Sequence, residues 1–180
     1  TDADTRRIFE TNVFGLLNVT RRVLPAMRRQ NGGHILMMSS VSGLVAGAGA
    51  GLYAATKFAV EGLSESLANE VATFGIRVTI LEPGPFRTDF SNRSLSLASE
   101  MPEYAGTAGE MRRYYAAVDG KQPGDPARAA KAILELVGSD APPRRLLLGR
   151  TALDRLAAKR ARHDAEIEAW RDVTLSADFE

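Results

Sequence analysis

The chain has 180 residues, 44% of them apolar and 25% charged, with a net charge of +1 and no cysteine. These values describe one ordinary domain with a sizeable core, and they offer no electrostatic case for nucleic acid or an anionic membrane. The missing cysteine rules out disulfides, thiolate chemistry and cysteine-based zinc sites. No apolar run approaches the ~18 residues of a membrane span. No signal peptide is visible in the polar, charged stretch Thr1 to Glu10, so a cytoplasmic location is the default expectation. The chain does not begin with Met, and its first residues already look helical, as in a fragment or processed product.

Residues 4 to 30 carry a helical apolar stripe of Phe9, Val13, Leu16, Leu17, Leu24 and Met27, with a kink expected at Pro25. "NGGH" makes a turn, and "HILMMSS" reads as a strand covered on both faces. A Gly/Ala-rich loop follows from Ser42 to Leu52. The next helix, about 53 to 73, has a large stripe (Val60, Leu63, Leu67, Val71, Phe74) and a small one (Ala55, Ala59, Gly62, Ser66) suited to close packing. Gly75 stops it. "IRVTILEPG" is a second strand, ending at Pro83-Gly84.

From Pro85 to Gly124 the periodicity is poor, and only 110 to 118 looks helical. A connection of this length is expected to be a lid or binding loop. Its apolar side chains include Phe86, Phe90, Leu95, Leu97, Met101, Tyr104, Tyr114 and Tyr115, which mildly favour an apolar or aromatic substrate. Arg87, Arg93, Arg112 and Arg113 leave an anion as the alternative. Asp125 caps a helix that begins at Pro126 and ends at Gly138, "RRLLLG" is a third strand, and a charged helix runs from 151 to about 172 before a polar tail to Glu180. The alternation of sign from 154 to 171 reads as a solvated face. The element order predicts an α/β fold: a parallel sheet with helices on both faces. Ligands then bind beyond the carboxyl ends of the strands. Ser39 and Ser40 end the first strand, Pro83 and Gly84 the second, and Tyr53 starts the helix between them.

Tyrosine normally ionises near pH 10 and is inert as a base at pH 7. Lys57, one helical turn beyond Tyr53, is placed to favour the phenolate, as is the positive helix N-terminus. The phenol then exchanges a proton with an alcohol or carbonyl oxygen, which Ser40 holds from across the loop. Chance alone yields about 0.1 Tyr-x-x-x-Lys pairs in this composition, so the weight rests on the convergence with the strand ends. Asn12 is a second anomaly, since asparagine competes with helical backbone bonds. It is either solvated and locally bonded, or it marks a kink whose freed carbonyl holds a water linking Lys57 to solvent. "GAGAG" fails the dinucleotide fingerprint, because Leu52 stands where the third glycine belongs. His34 and His163 have no partner at metal-ligand spacing, so no metal is expected.

Asn12 in "NVFG", Ser40 in "SSVSG", Tyr53 and Lys57 in "YAATK", and "PGPFRT" from Pro83 to Thr88 together resemble the single-domain short-chain dehydrogenases/reductases. The resemblance runs from about Asp4 to Phe90. It implies a Rossmann-type fold and hydride transfer between NAD or NADP and a small-molecule carbonyl or alcohol. Tyr53 is then the acid/base, Ser40 orients substrate, Lys57 holds the nicotinamide ribose, and Asn12 keeps a relay water. The backbone around Pro83, Gly84 and Phe86 meets the carboxamide, with Thr88 near the nicotinamide end. The family's N-terminal strands, phosphate loop and NAD/NADP selector have no counterpart after Thr1. The chain therefore reads as the C-terminal catalytic portion of such a domain, with 85–124 as lid and 150–180 as terminal helix and tail. Weak cofactor affinity is expected from it, and an apolar edge on "HILMMSS" prone to association. The resemblance also implies a homo-oligomer built through the first helix and the 53–73 helix. A non-catalytic, helix-mediated interaction module is the alternative, and an epimerase or dehydratase is a narrower one.

Overall fold

The structure, a computed structural model, describes residues 1–90 and 97–179. Leu95 and Arg93 of the expected lid, and the terminal Glu180, lie outside the described residues. The first helical segment has three parts: α1 (Asp2–Phe9), a π-helical turn (Glu10–Phe14) and α2 (Gly15–Arg29). The distortion falls at Asn12. Pro25 lies within α2, which continues to Arg29. Strand β1 (Gly33–Met38) leads through a short 3₁₀ turn into α3 (Gly51–Val71), then β2 (Ile76–Pro83). Helix α4 (Ala108–Val118) is the helical part of the lid, preceded by a single 3₁₀ turn at Pro102–Tyr104. Helix α5 (Pro126–Gly138) leads to β3 (Arg145–Leu148), then α6 (Arg150–Ala169) and α7 (Arg171–Leu175). Asp125 caps α5 as expected, its Oδ1 accepting from the Ala127 amide at 2.8 Å.

The three strands form one parallel sheet in the order β1-β2-β3. Gly33 to Met38 lie opposite Ile76 to Leu81, and Ile80 to Pro83 opposite Arg145 to Leu148. Parallel neighbours require crossovers, which α3 and α5 provide. One face of β1 and β2 (Ile35, Met37, Ile76, Val78) packs against Val60, Ala68 and Val71 of α3. Leu16, Val23, Leu24 and Met27 of α2 close the cluster from the side. This core fixes the angle at which α3 presents its first turn to the strand ends. Gly75 ends the segment after α3 at φ 66°, and a Cβ there would stand 2.9 Å from the Asn31 carbonyl, so both backbone shape and space require glycine.

The buried face of α3 departs from the predicted one. It consists of Ala54, Thr56, Lys57, Val60, Glu61, Ser64, Ala68 and Val71, half of them polar. Leu63 and Phe74 of the expected large stripe are exposed. Ala55, Gly62 and Ser66 of the small stripe also face outward. Three of the four inward polar residues find partners there: Thr56 on Asn12, Lys57 on the Met38 carbonyl and Glu61 on Arg145.

Candidate functional site

Chain reversal after β1 is built by Ser40. Its extended backbone (φ −170°, ψ 160°) lets Oγ accept from the Ser42 amide at 3.1 Å, which caps the turn Val41–Gly43. The same Oγ donates to the Pro83 carbonyl at 3.4 Å, so one hydroxyl ties the end of β1 to the end of β2. Gly43 lets α3 approach this turn. A Cβ at Gly43 would stand 2.6 Å from Ser39 Oγ and 2.9 Å from the Lys57 carbonyl. Because one obstacle is helix backbone, Gly43→Ala must push α3 away, with an expected loss of about 1–3 kcal/mol, read as a lower midpoint in thermal unfolding. An unchanged midpoint would show that the turn, not α3, gives way.

Tyr53 stands at this corner with the Ser40 side chain beside its hydroxyl. Its ring lies against Phe90, with centroids 5.8 Å apart and a 57° tilt. Burial raises the Tyr53 pKa above its usual value of 10, the Ser40 side chain opposes this, and Tyr115 adds to the rise. In the chain by itself, burial thus favours the neutral phenol. Lys57 Nζ lies 5.7 Å from the Tyr53 ring centroid and donates to the Met38 carbonyl at 3.0 Å instead of to the phenol oxygen. The lysine is only 8% exposed, and burial lowers its own pKa.

Asn12 joins this arrangement through a residue whose role the sequence did not disclose. Its Nδ2 donates to Thr56 Oγ1 at 3.0 Å, and that hydroxyl donates to the Tyr53 carbonyl at 2.7 Å. Thr56 is fully buried. The π-helical turn is thus bonded to the first turn of α3. The only available signal was the position of Thr56 three residues after Tyr53, on the buried side of the helix.

At the second strand end, the Gly84 amide donates to the Leu148 carbonyl at 2.9 Å. Phe86 pairs with Gly124 in a short parallel bridge made by the Pro85 carbonyl and the Arg87 amide, which leaves the Phe86 amide out of the pairing. Thr88 Oγ1 accepts from the Phe90 amide at 3.4 Å. The structure thus brings together Ser40, Tyr53, Lys57 and Pro83, with Asn12 two hydrogen bonds further back through Thr56. Phe86 and Thr88 lie on the segment leading away from them. A groove of about 400 Å³ runs along the free edge of β1 past Asn12, Gly15, Val19 and Met38 to Lys57. A larger hollow of about 720 Å³ lies between Phe86, Arg128 of α5 and Gly149, and contains none of Ser40, Tyr53 or Lys57.

Three of the lid arginines hold carbonyl oxygens: Arg87 that of Gln122, Arg112 that of Ala98, and Arg113 that of Ala105. His34 Nε2 meets Thr79 Oγ1 at 2.9 Å. Thr79 uses its own proton on the Pro143 carbonyl, so the histidine nitrogen is the donor. Among the described residues, no cluster of three potential metal ligands occurs, and no helix is long and apolar enough to cross a membrane.

Fold and corner together define a Rossmann-type α/β protein with a serine–tyrosine–lysine constellation at the strand ends. The short chain dehydrogenase family matches residues 1–97. The chain is 35% identical over 168 residues to Oxidoreductase BOA17 of Botryotinia fuckeliana, covering 93% of this chain and 61% of that protein. It superposes on a short-chain dehydrogenase from Streptomyces avermitilis with a TM-score of 0.92 and 41% identity, covering 99% of this chain and 65% of the other. It is also similar to a serine dehydrogenase complexed with NADP+ (TM-score 0.65, 27% identity, 82% of this chain and 56% of the other). The chain belongs to the short-chain dehydrogenase family, a family of oxidoreductases. It spans less than two thirds of the length of these relatives.

Proposed function

We propose that this chain is the catalytic portion of an NAD(P)-dependent oxidoreductase that interconverts a carbonyl compound and its alcohol. The observation that carries the reading is the apposition of the Tyr53 and Ser40 side chains, with Lys57 beside the Tyr53 ring, at the corner where two parallel strands end. Two hydroxyls side by side are placed to bind a single substrate oxygen between them. The neutral Tyr53 gives its proton to that oxygen as the carbonyl is reduced, and Ser40 holds the oxygen in place. In the reverse direction Tyr53, as the phenolate left by that step, takes the proton from the alcohol while Ser40 holds the oxygen.

The residues present fit a nicotinamide cofactor. Lys57 uses one of its three N–H donors on Met38, which leaves two for ribose hydroxyls, and the Phe86 amide is free of the Gly124 bridge for a carboxamide. Thr88 stands next along the same segment. When bound, the nicotinamide supplies or accepts the hydride. A similar enzyme has been solved with NADP+, which supports the assignment of NAD or NADP. Asn12 takes the relay role, carried by its place in the π-helical turn. The Phe90 ring against Tyr53, and lid arginines engaged with backbone carbonyls, favour an apolar or aromatic substrate over an anion. The test is nicotinamide absorbance with a panel of ketones, aldehydes and alcohols on the chain completed by its N-terminal half. Cofactor binding without turnover of any carbonyl, alcohol or imine contradicts the reading.

The homo-oligomer is proposed on the outward stripe of α3, where Leu52 and Leu63 are exposed beside Ala55 and Gly62. A Cβ at Gly62 meets nothing within 4 Å, so Gly62→Arg is tolerated by a single copy. Light scattering is expected to show an oligomer for the native chain and a folded monomer for Gly62→Arg. A monomer in both cases removes the association.

A further inference from the structure

One buried cluster has no part in the chemistry above. Glu61 lies one turn after Lys57 on α3, Glu82 immediately before Pro83-Gly84 on β2, and Arg145 at the start of β3. Glu82 is 1% exposed and Glu61 6%. Arg145 Nε lies 3.2 Å from Glu61 Oε2 and 3.3 Å from Glu82 Oε1, while Nη2 reaches the more exposed Glu65 at 2.6 Å. The single Nε proton bonds Glu61, and Glu82 Oε1 has no hydrogen bond. Glu61 Oε1 is likewise buried without a donor. The two buried glutamates thus meet at one guanidinium nitrogen. Burial and a like charge on the same guanidinium nitrogen, which Glu65 also draws on, disfavour a charged Glu82.

We propose that Glu61 and Glu82 share one proton and, with Arg145, form a positioning clamp that fixes the Pro83–Gly84 turn against α3. The clamp spans the two elements that carry the expected cofactor contacts: α3 with Lys57, and the end of β2. Its bearing on a working site rests on the proposed function; the shared proton does not. Burial is the main cause holding the proton on Glu82, followed by the charge of Glu61, and these raise its pKa to about 7. Arg145 and, more distantly, Arg160 of α6 favour its loss. Because the folded value lies above the usual 4.5, the clamp's contribution to stability is complete in acid. It is lost as pH rises from that value through about 7.

The test uses infrared difference spectra, thermal unfolding and amide exchange on this chain. At about pH 6, where ordinary glutamates are ionised, a protonated carboxyl C=O band is expected, disappearing by about pH 8. Glu82→Gln should lack the band and keep its midpoint across that range, while the native chain loses stability. Exchange at the Gly84 amide, corrected for its intrinsic rate, should accelerate about tenfold above pH 8 in the native chain but not in Glu82→Gln. If the native chain has no such band, the shared proton is wrong; this holds whether or not the variant folds. A band without any change in Gly84 exchange overturns the positioning role. None of these readouts involves turnover, so an inactive Tyr53 site leaves the result standing.

Discussion

Under the function proposed above, Tyr53→Phe in the chain completed by an N-terminal half is expected to lower kcat/KM about 10²–10⁴-fold with carbonyl substrates, because it removes the phenol hydroxyl, the proposed proton donor. The fold has little stake in that oxygen. The ring contact with Phe90 survives, and Ser40 keeps the Ser42 amide and the Pro83 carbonyl. The loss of one hydroxyl contact changes stability by about 1 kcal/mol or less, so the midpoint should stay within a few degrees while activity collapses. The pH profile carries further information. Burial holds Tyr53 protonated beyond its ordinary range, so carbonyl reduction should persist through neutral pH and fall only in alkali, where the donor is lost. If the variant retains more than about a tenth of native turnover, another group donates the proton.

How far the sequence revealed this site depends on which signal each residue carries. Strands β1 and β2 were legible because "ILMM" is a continuous apolar run and "IRVTIL" is rich in β-branched residues, and the two are followed by Ser-Ser and Pro-Gly, which place the polar corner at the strand ends. The distortion at Asn12 was legible as one of two readings, because a side chain that competes with its own helix marks a weak point. The inward face of α3 was not. Apolar periodicity assigns charged residues to solvent, yet Lys57 and Glu61 are buried and Leu63 is not. Their partners come from distant positions: Met38 lies 19 residues before Lys57, and Arg145 lies 84 after Glu61. Glu82 was hidden for the same reason, as one acid within an apolar strand whose counter-charge stands on β3. The acceptor of the Lys57 ammonium was not legible either, because spacing along a helix locates the lysine but does not say that the Met38 carbonyl takes one of its protons.

Lys57→Met should separate activity from stability in the opposite sense to an ordinary core mutation. Lys57 is buried with a single hydrogen bond, and burial depresses its pKa. The sign follows from linkage. Above the ordinary value of 10.5 both folded and unfolded lysine are neutral, and nothing is lost. Below it the unfolded chain takes up the proton first, so the native state is disfavoured by an amount that persists at neutral pH. Methionine fills a similar volume without charge, and the main loss is the donor to the Met38 carbonyl. The midpoint at pH 7 is therefore expected to hold or rise by a few degrees, and its dependence on pH between neutral and about 10 should flatten. Under the proposed function activity should vanish, since the variant removes both the cation beside the Tyr53 ring and the donors proposed for the ribose. Nicotinamide nucleotide affinity should fall in Lys57→Met and remain near native in Tyr53→Phe, a contrast that titration with the nucleotide measures directly. A markedly lower midpoint for Lys57→Met would make the lysine a structural tie between α3 and β1, buried to hold the fold together instead of to meet a cofactor.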